Sequence, residues 1–153
     1  MLYLWPQERP QGTLNLFYTA ARFKDEKQDL ATADNVYGLI DINLKDGRTE
    51  VLDFGPVTEV YFSGARSPTD PNLVFGVLNR LAKYDLRQQK LLQAAELDHS
   101  YYCMVIDKAG KKLYLGGTVN DIAIYDTASL QKQKTIRIPG GDMSISSLQL
   151  FTR

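Results

Sequence analysis

Five consecutive residues, His99-Ser100-Tyr101-Tyr102-Cys103, contain the one histidine and the one cysteine of the chain, with two tyrosines between them. These are residue types that can do chemistry. An imidazole titrates near neutral pH and can take a proton from an amine. A thiol reacts only as its thiolate, which needs a basic neighbour or a helix N-terminus to form at neutral pH. Cys103 has no basic neighbour in sequence, and period-two alternation places it with Tyr101 and Val105 on one face of a strand and Tyr102, Met104 and Ile106 on the other. A cysteine in such a strand ordinarily packs as a small hydrophobe. The histidine supports two accounts: a proton carrier at the rim of a pocket, or a structural side chain bonded to a carbonyl or a neighbouring sheet.

The elements that position these residues repeat. Shifting the chain by 41 places lays Tyr61 on Tyr102, Gly76 on Gly117, Asn79 on Asn120, Ala82 on Ala123, Tyr84 on Tyr125 and Asp85 on Asp126. Each unit reads as four short strands of alternating polarity with β-branched and aromatic enrichment. In the last unit they are 101–106, 112–117, 121–126 and 132–138. In the middle unit they are 58–63, 73–78, 81–86 and 91–97, with "SPTDPN" as a proline-rich turn. The opening unit is looser: 2–5, 13–20, 36–43 and 49–54, with "ARFKDEKQDLATADN" as a charged, solvated loop between its second and third strands.

Four strands in about 40–45 residues is the spacing of a β-propeller blade. The sequence predicts an all-β fold, a partial β-propeller with blades at about 1–55, 56–98 and 99–139. Residues 143–151 would be one strand of a further blade. A β-sandwich is the structural alternative, but it does not account for the 41-residue register. Propellers close with four to eight blades, so two copies could meet to close a ring.

Composition narrows the function. The 18 basic and 18 acidic residues cancel, which argues against a nucleic-acid partner. No apolar run reaches the ~18–20 residues of a membrane span, so no membrane partner is expected. The opening "MLYLWP" lacks a basic leader and a small-residue cleavage site, so it does not read as a signal peptide. One cysteine excludes an internal disulfide and a multi-cysteine zinc site. There is no Cys-x-x-Cys-His haem motif, no phosphate-binding glycine loop and no nucleophile elbow.

Four segments, "LWPQERPQGTLNLFYTAARF", "GVLNRLAKYDL", the run from Leu97 to Asp121 and "PGGDMS", resemble the C-terminal portion of the β subunit of bacterial quinohemoprotein amine dehydrogenase. That resemblance implies a seven-bladed propeller about twice this length. It implies a periplasmic enzyme that oxidatively deaminates primary amines, in which this chain is a non-catalytic subunit. The partners would be a dihaem cytochrome c subunit and a small subunit bearing a cysteine tryptophylquinone, whose site the propeller helps to enclose. No catalytic, cofactor-binding or metal-binding residue is carried over. Cys103 and Trp5 are far apart in sequence, and nothing supports a quinone between them. The alternative is a propeller that serves as a binding or scaffold module without enzymatic role; a third account, an enzyme using its own rim, would need polar groups or a metal converging on the axis.

The candidate partner or pocket rim lies where the outer strand of one blade leads into the inner strand of the next. Loops on a rigid scaffold often carry function there. The 41-residue register makes Glu59, Ser100 and Gly141 equivalent rim positions. Asp98, His99, Tyr101 and Asp142 lie beside them. Tyr84-Asp85 and Tyr125-Asp126 recur, which points to architecture: the tyrosine packs between blades, and the aspartate opens the following turn.

Overall fold

The alternating segments fold as strands because only pairing satisfies their backbone groups while burying one side chain in two. The computed structural model describes residues 2–4, 12–141, 145 and 147–151. They form twelve strands: β1 Leu2–Leu4, β2 Thr13–Arg22, β3 Asp34–Asn43, β4 Thr49–Pro56, β5 Ser63–Arg66, β6 Leu73–Val77, β7 Arg80–Asp85, β8 Lys90–Glu96, β9 Tyr101–Ile106, β10 Lys112–Gly117, β11 Asp121–Asp126 and β12 Lys132–Arg137. They make three antiparallel meanders in chain order, β1–β4, β5–β8 and β9–β12. The first strands of consecutive sheets touch, β1 with β5 and β5 with β9, so the sheets fan out from a common inner edge. This is a partial β-propeller of three blades.

Two hydrophobic clusters hold the fan together, one at each junction. Between the first and second blades, Phe17, Tyr37, Leu39 and Phe54 meet Tyr61, Val74, Ala82 and Tyr84. Phe17 and Phe54 pack edge to face at 5.3 Å, and Phe54 stacks on Tyr84 at 5.7 Å. Such pairs add about 1 kcal/mol each beyond the area they bury. Between the second and third blades, Ala65, Phe75, Val77 and Leu81 meet Met104, Leu113, Leu115, Ala123 and Tyr125. Tyr84 and Tyr125 therefore do sit between blades.

The repeat is visible in the turns. Asn43, Asp85 and Asp126 each end a third strand and accept a backbone N–H in the turn that follows, from Lys45, Gln88 and Ser129. Four residues on, Gly47, Gln89 and Leu130 all take positive φ, between 51° and 73°. Leu130 tolerates that conformation because its side chain is anchored in the second cluster at 2% exposure. The ladders also slip at matching places, between Lys83 and Tyr84 and between Ile124 and Tyr125.

The structure corrects the register elsewhere. Leu73 opposite Asp85 matches Lys112 opposite Asp126. The second strands are thus related by 39 places, not 41, because the β10–β11 connection is longer than that of β6–β7. The first strands follow with an offset of 40: Ala65 opposite Phe75 matches Val105 opposite Tyr114. Tyr61 is consequently the counterpart of Tyr101, not Tyr102, and Gly76 is not the counterpart of Gly117. The first strand of the middle blade also begins later than expected, at Ser63 instead of 58. Residues 58–62 are spent on packing: Tyr61 lies over Gly76, where any Cβ would overlap its ring, and its N–H donates to Tyr37 Oη at 3.0 Å.

Of the segment 143–151, residues 143, 144 and 146 lie outside the described residues, and 145 and 147–151 join no ladder. Ile145 N nevertheless donates to Gly117 O at 2.8 Å, much as Tyr101 N donates to Leu78 O at 2.9 Å. The segment enters where the first strand of a further blade would.

Leu115, fully buried at the second junction, is expected to cost about 3 kcal/mol on replacement by Ala. Leu92, 42% exposed on an outer strand, is expected to change stability by less than about 0.5 kcal/mol. Urea denaturation midpoints of the two variants check the contrast.

Candidate functional site

The rim residues sit on the connections that lead into β5 and β9, and the offset of 40 aligns them differently from the sequence expectation. Glu59 is the counterpart of His99, not of Ser100; Thr58 is that of Asp98. Each position makes the same kind of contact in both blades. Thr58 Oγ1 hydrogen-bonds Tyr84 Oη, and Tyr125 Oη donates to Asp98 Oδ1 at 3.4 Å. Glu59 pairs with Arg80, the first residue of β7. His99 Nε2 lies 3.1 Å from Asp121 Oδ1, and Asp121 is the first residue of β11. The geometry repeats while the charges invert: acid to base in one blade, imidazole to acid in the next.

His99 is engaged on both ring nitrogens. Its Nδ1 lies 3.1 Å from Ser100 O and 3.3 Å from Thr118 Oγ1, and its ring packs on Tyr101 at 4.1 Å. Asp121 beneath it is 4% exposed. Ser100 Oγ donates to Asn79 Oδ1 of the second blade at 2.6 Å, so Ser100 crosses the blade junction. Asp98 is held by the Lys132 ammonium, which keeps its carboxyl below the usual carboxylate range; its own backbone amide and His99 add to the effect. Arg80 bridges a second acid, Glu96, at 2.8 Å. Asp142 lies outside the described residues. Gly140 and Gly141 before it both take positive φ, as the double glycine permits.

Below the rim β9 is apolar, Tyr-Tyr-Cys-Met-Val-Ile. Cys103 is buried, and its Sγ donates to Gly116 O at 3.3 Å and to Ile145 O at 3.4 Å. Burial pushes its thiol up to about 11, so it is not a thiolate at neutral pH. The hydroxyls of Tyr61 and Tyr101, counterparts in adjacent blades, are buried without a hydrogen-bond partner. Desolvation first, then nearby acids and tyrosines, raises the pKa of both. Tyr125 is raised for the same leading reason, with Asp98 the nearest charge.

His99 thus bonds the Ser100 carbonyl and packs on the Tyr101 ring, Asp98 is bonded separately to Lys132 and Tyr125, and Glu59 stands at the point of the preceding blade equivalent to His99. Sequence reasoning missed the groups that bind them: Arg80, Asp121, Thr118 and Asn79. A signal existed, since Arg80 and Asp121 stand 41 apart at the head of equivalent third strands. Among the described residues no three of His, Cys, Asp and Glu converge as a metal site. A shallow cleft of about 440 Å³ opens on the first blade between Arg22, Asp34, Asn35 and Val57 and includes none of the rim residues. Chemically, the rim can orient and clamp.

No protein-family model matches the chain, and no curated protein matches it. Solved structures do. Hydrazine synthase of Kuenenia stuttgartiensis is similar at a TM-score of 0.56 and 12% identity, covering 74% of this chain and 34% of that one. The WD40 repeats of RRP9 are similar at 0.51 and 18%, covering 58% and 29%. The structure of U3-55K is similar at 0.51 and 16%, covering 58% and 30%. At these identities the likeness shows the fold, a β-propeller, and this chain spans about a third of the length of each.

Two outcomes are expected from the rim. Arg80→Ala leaves Glu59, whose side chain is 10% exposed, with an unpaired charge and should cost about 2 kcal/mol. Arg80→Met with Glu59→Gln should recover most of it in the same denaturation assay. The second concerns alkali. The folded chain holds the Cys103 thiol at about 11 against 9.0 and the three tyrosines above their ordinary values. The unfolded chain therefore binds fewer protons from pH ~9 upward, and stability falls as pH rises through that range. Thermal melts between pH 8 and 11 should show the decline. Tyr101→Phe should flatten it and, by removing an unpartnered hydroxyl, add about 1 kcal/mol at pH 7.

Proposed function

We propose that this chain is a non-catalytic propeller subunit that recognises and encloses a partner's site, as the resemblance to the β subunit of quinohemoprotein amine dehydrogenase implies. Its complex would oxidatively deaminate primary amines in the periplasm. The observation that carries the reading is the bonded state of the rim. Glu59 is tied to Arg80, Asp98 to Lys132 and Tyr125, and His99 to Asp121, Thr118 and the Ser100 carbonyl. Groups so engaged are held in fixed orientations and present a pre-organised surface to a partner.

The haem and the quinone belong, on this reading, to the dihaem cytochrome c subunit and the small quinone-bearing subunit. Among the described residues of this chain, His99 and Cys103 fit neither group. Its histidine has no free nitrogen to offer a metal, and its cysteine is bonded to two carbonyls beneath the surface. Its contribution is rigidity: loops fixed on packed sheets exclude water from a neighbouring site, and a dry site strengthens the electrostatics around a reacting amine.

A second reading is favoured by the likeness to WD40 repeats: a scaffold module that holds protein partners and serves no enzyme.

Amine-dependent dye reduction decides between them. The purified chain is expected to show none alone and to co-purify, with turnover, when produced with a dihaem chain and a small cysteine-rich chain encoded beside it. Turnover by the chain alone would contradict a non-catalytic role. A stable chain that binds neither partner would leave the scaffold reading.

A further inference from the structure

Three strands end the sheets on the outside of the fan, β4, β8 and β12. On such an edge strand alternate residues turn an N–H and a C=O outward, where only water or another strand can bond them. The second blade is flanked within the chain on both faces, by the first blade at one cluster and by the third at the other. The side of its sheet left without a neighbour among the described residues is the edge of β8.

Edge strands are ordinarily blunted by charge or proline. β12, Lys-Gln-Lys-Thr-Ile-Arg, carries three cations, all at exposed positions. β4 carries the exposed Glu50 and ends in Pro56, which has no N–H to give. β8, Lys-Leu-Leu-Gln-Ala-Ala-Glu, is charged only at its two ends, and with opposite signs. All three outer strands slip by one residue in their ladders, so charge, not bulging, sets β8 apart.

The sequence of β8 is complementary to itself. Laid antiparallel about Gln93, Lys90 stands opposite Glu96, Leu91 opposite Ala95 and Leu92 opposite Ala94. Opposite charges then meet at both ends, with apolar side chains paired between them. The same operation on β12 sets Lys132 opposite Arg137 at each end, a repulsive pair. On β4 it sets Leu52 opposite Asp53 and Thr49 opposite Pro56. The end charges of β8 also have work left to do. Lys90 is exposed. Glu96, with its side chain 80% exposed, shares Arg80 with Glu59, so one guanidinium serves two carboxylates. That set carries a net negative charge at the end of β8 where a second copy's lysine would arrive.

We infer that β8 pairs antiparallel with β8 of a second copy, about a two-fold axis at Gln93. The two second blades then form one continuous sheet. The contact is isologous, so each copy's edge is used up and assembly through it stops at two. Gln93 keeps its bond to Ser129 of the third blade, because its side chain stands on a face of the sheet and not on the edge. A contact one strand wide is smaller than a standard interface of ~1,600 Å², so the dimer is one that dilution separates. The inference rests on the second blade alone and is independent of the proposed role in an enzyme.

Sedimentation velocity over a dilution series should show the 17.3 kDa chain in equilibrium with a species of twice that mass. Lys90→Glu and Glu96→Lys each set like charges opposite at both ends and should weaken the dimer about tenfold. The variant with both substitutions should restore it. Both positions are exposed, and circular dichroism checks that the variants stay folded. Mixing a Lys90→Cys copy with a Glu96→Cys copy under mild oxidation should give the mixed cross-link and neither like-with-like product. A chain that stays monomeric at the highest concentration would overturn the inference. So would an assembly of any size indifferent to the charge exchange, or a like-with-like cross-link.

Discussion

Burial between sheets is the constraint from which the rest of this structure follows. A four-stranded meander has two faces, and neither is covered by its own strands. Val77, Leu81, Leu113 and Leu115 reach zero exposure only because a second sheet lies against the first. The wedge shape needed for fanning comes from what stands near the inner edge. Small residues leave room for rings near the inner edge: Gly64 of β5 lies against the Phe17 ring of the first blade, and Gly76 under the Tyr61 ring. Large ones, Phe54 on Tyr84, fill the wider space outside.

The same constraint explains why the rim repeats in geometry and varies in charge. A connection entering a blade must place a tyrosine at fixed depth, and the residue two before it then lands over the head of the third strand. Glutamate over arginine and histidine over aspartate both satisfy that contact. The burial of Glu59 and Asp121 raises the stakes, because a buried charge without a partner costs several kcal/mol. Fixed placement of opposite charges by packing is what makes the rim a stable surface.

Legibility in the sequence follows from how tightly each part is constrained in length. The third and fourth strands, with their turns, could be read at a strict spacing of 41. An Asx-capped turn with a left-handed residue four places on admits no insertion, and Tyr84 and Tyr125 lead into that turn. The first and second strands could not be aligned that way. The connection after β10 is longer than that after β6, and a surface loop absorbs extra residues at little cost. Matching identical letters therefore joined Tyr61 to Tyr102 and Gly76 to Gly117. Hydrogen-bond registers join Tyr61 to Tyr101 instead. The candidate rim residues Glu59, Asp98, His99, Ser100 and Tyr101 were chosen by position in the repeat, but the groups that bind Glu59 and His99 come from the heads of third strands some 20 residues away, and no local pattern announces such a pairing.

By itself the sequence determined the all-β class, the number of sheets, most strand limits and the turn chemistry. Those depend on alternation and on residues with special backbone preferences, which act within a few positions. Tertiary structure alone decided that His99 rests on Asp121 and Glu59 on Arg80, that Cys103 is bonded beneath the surface, and which apolar side chains face outward from the first and last blades. Those outcomes depend on how neighbouring sheets pack, and packing depends on distances between segments that sequence order does not encode.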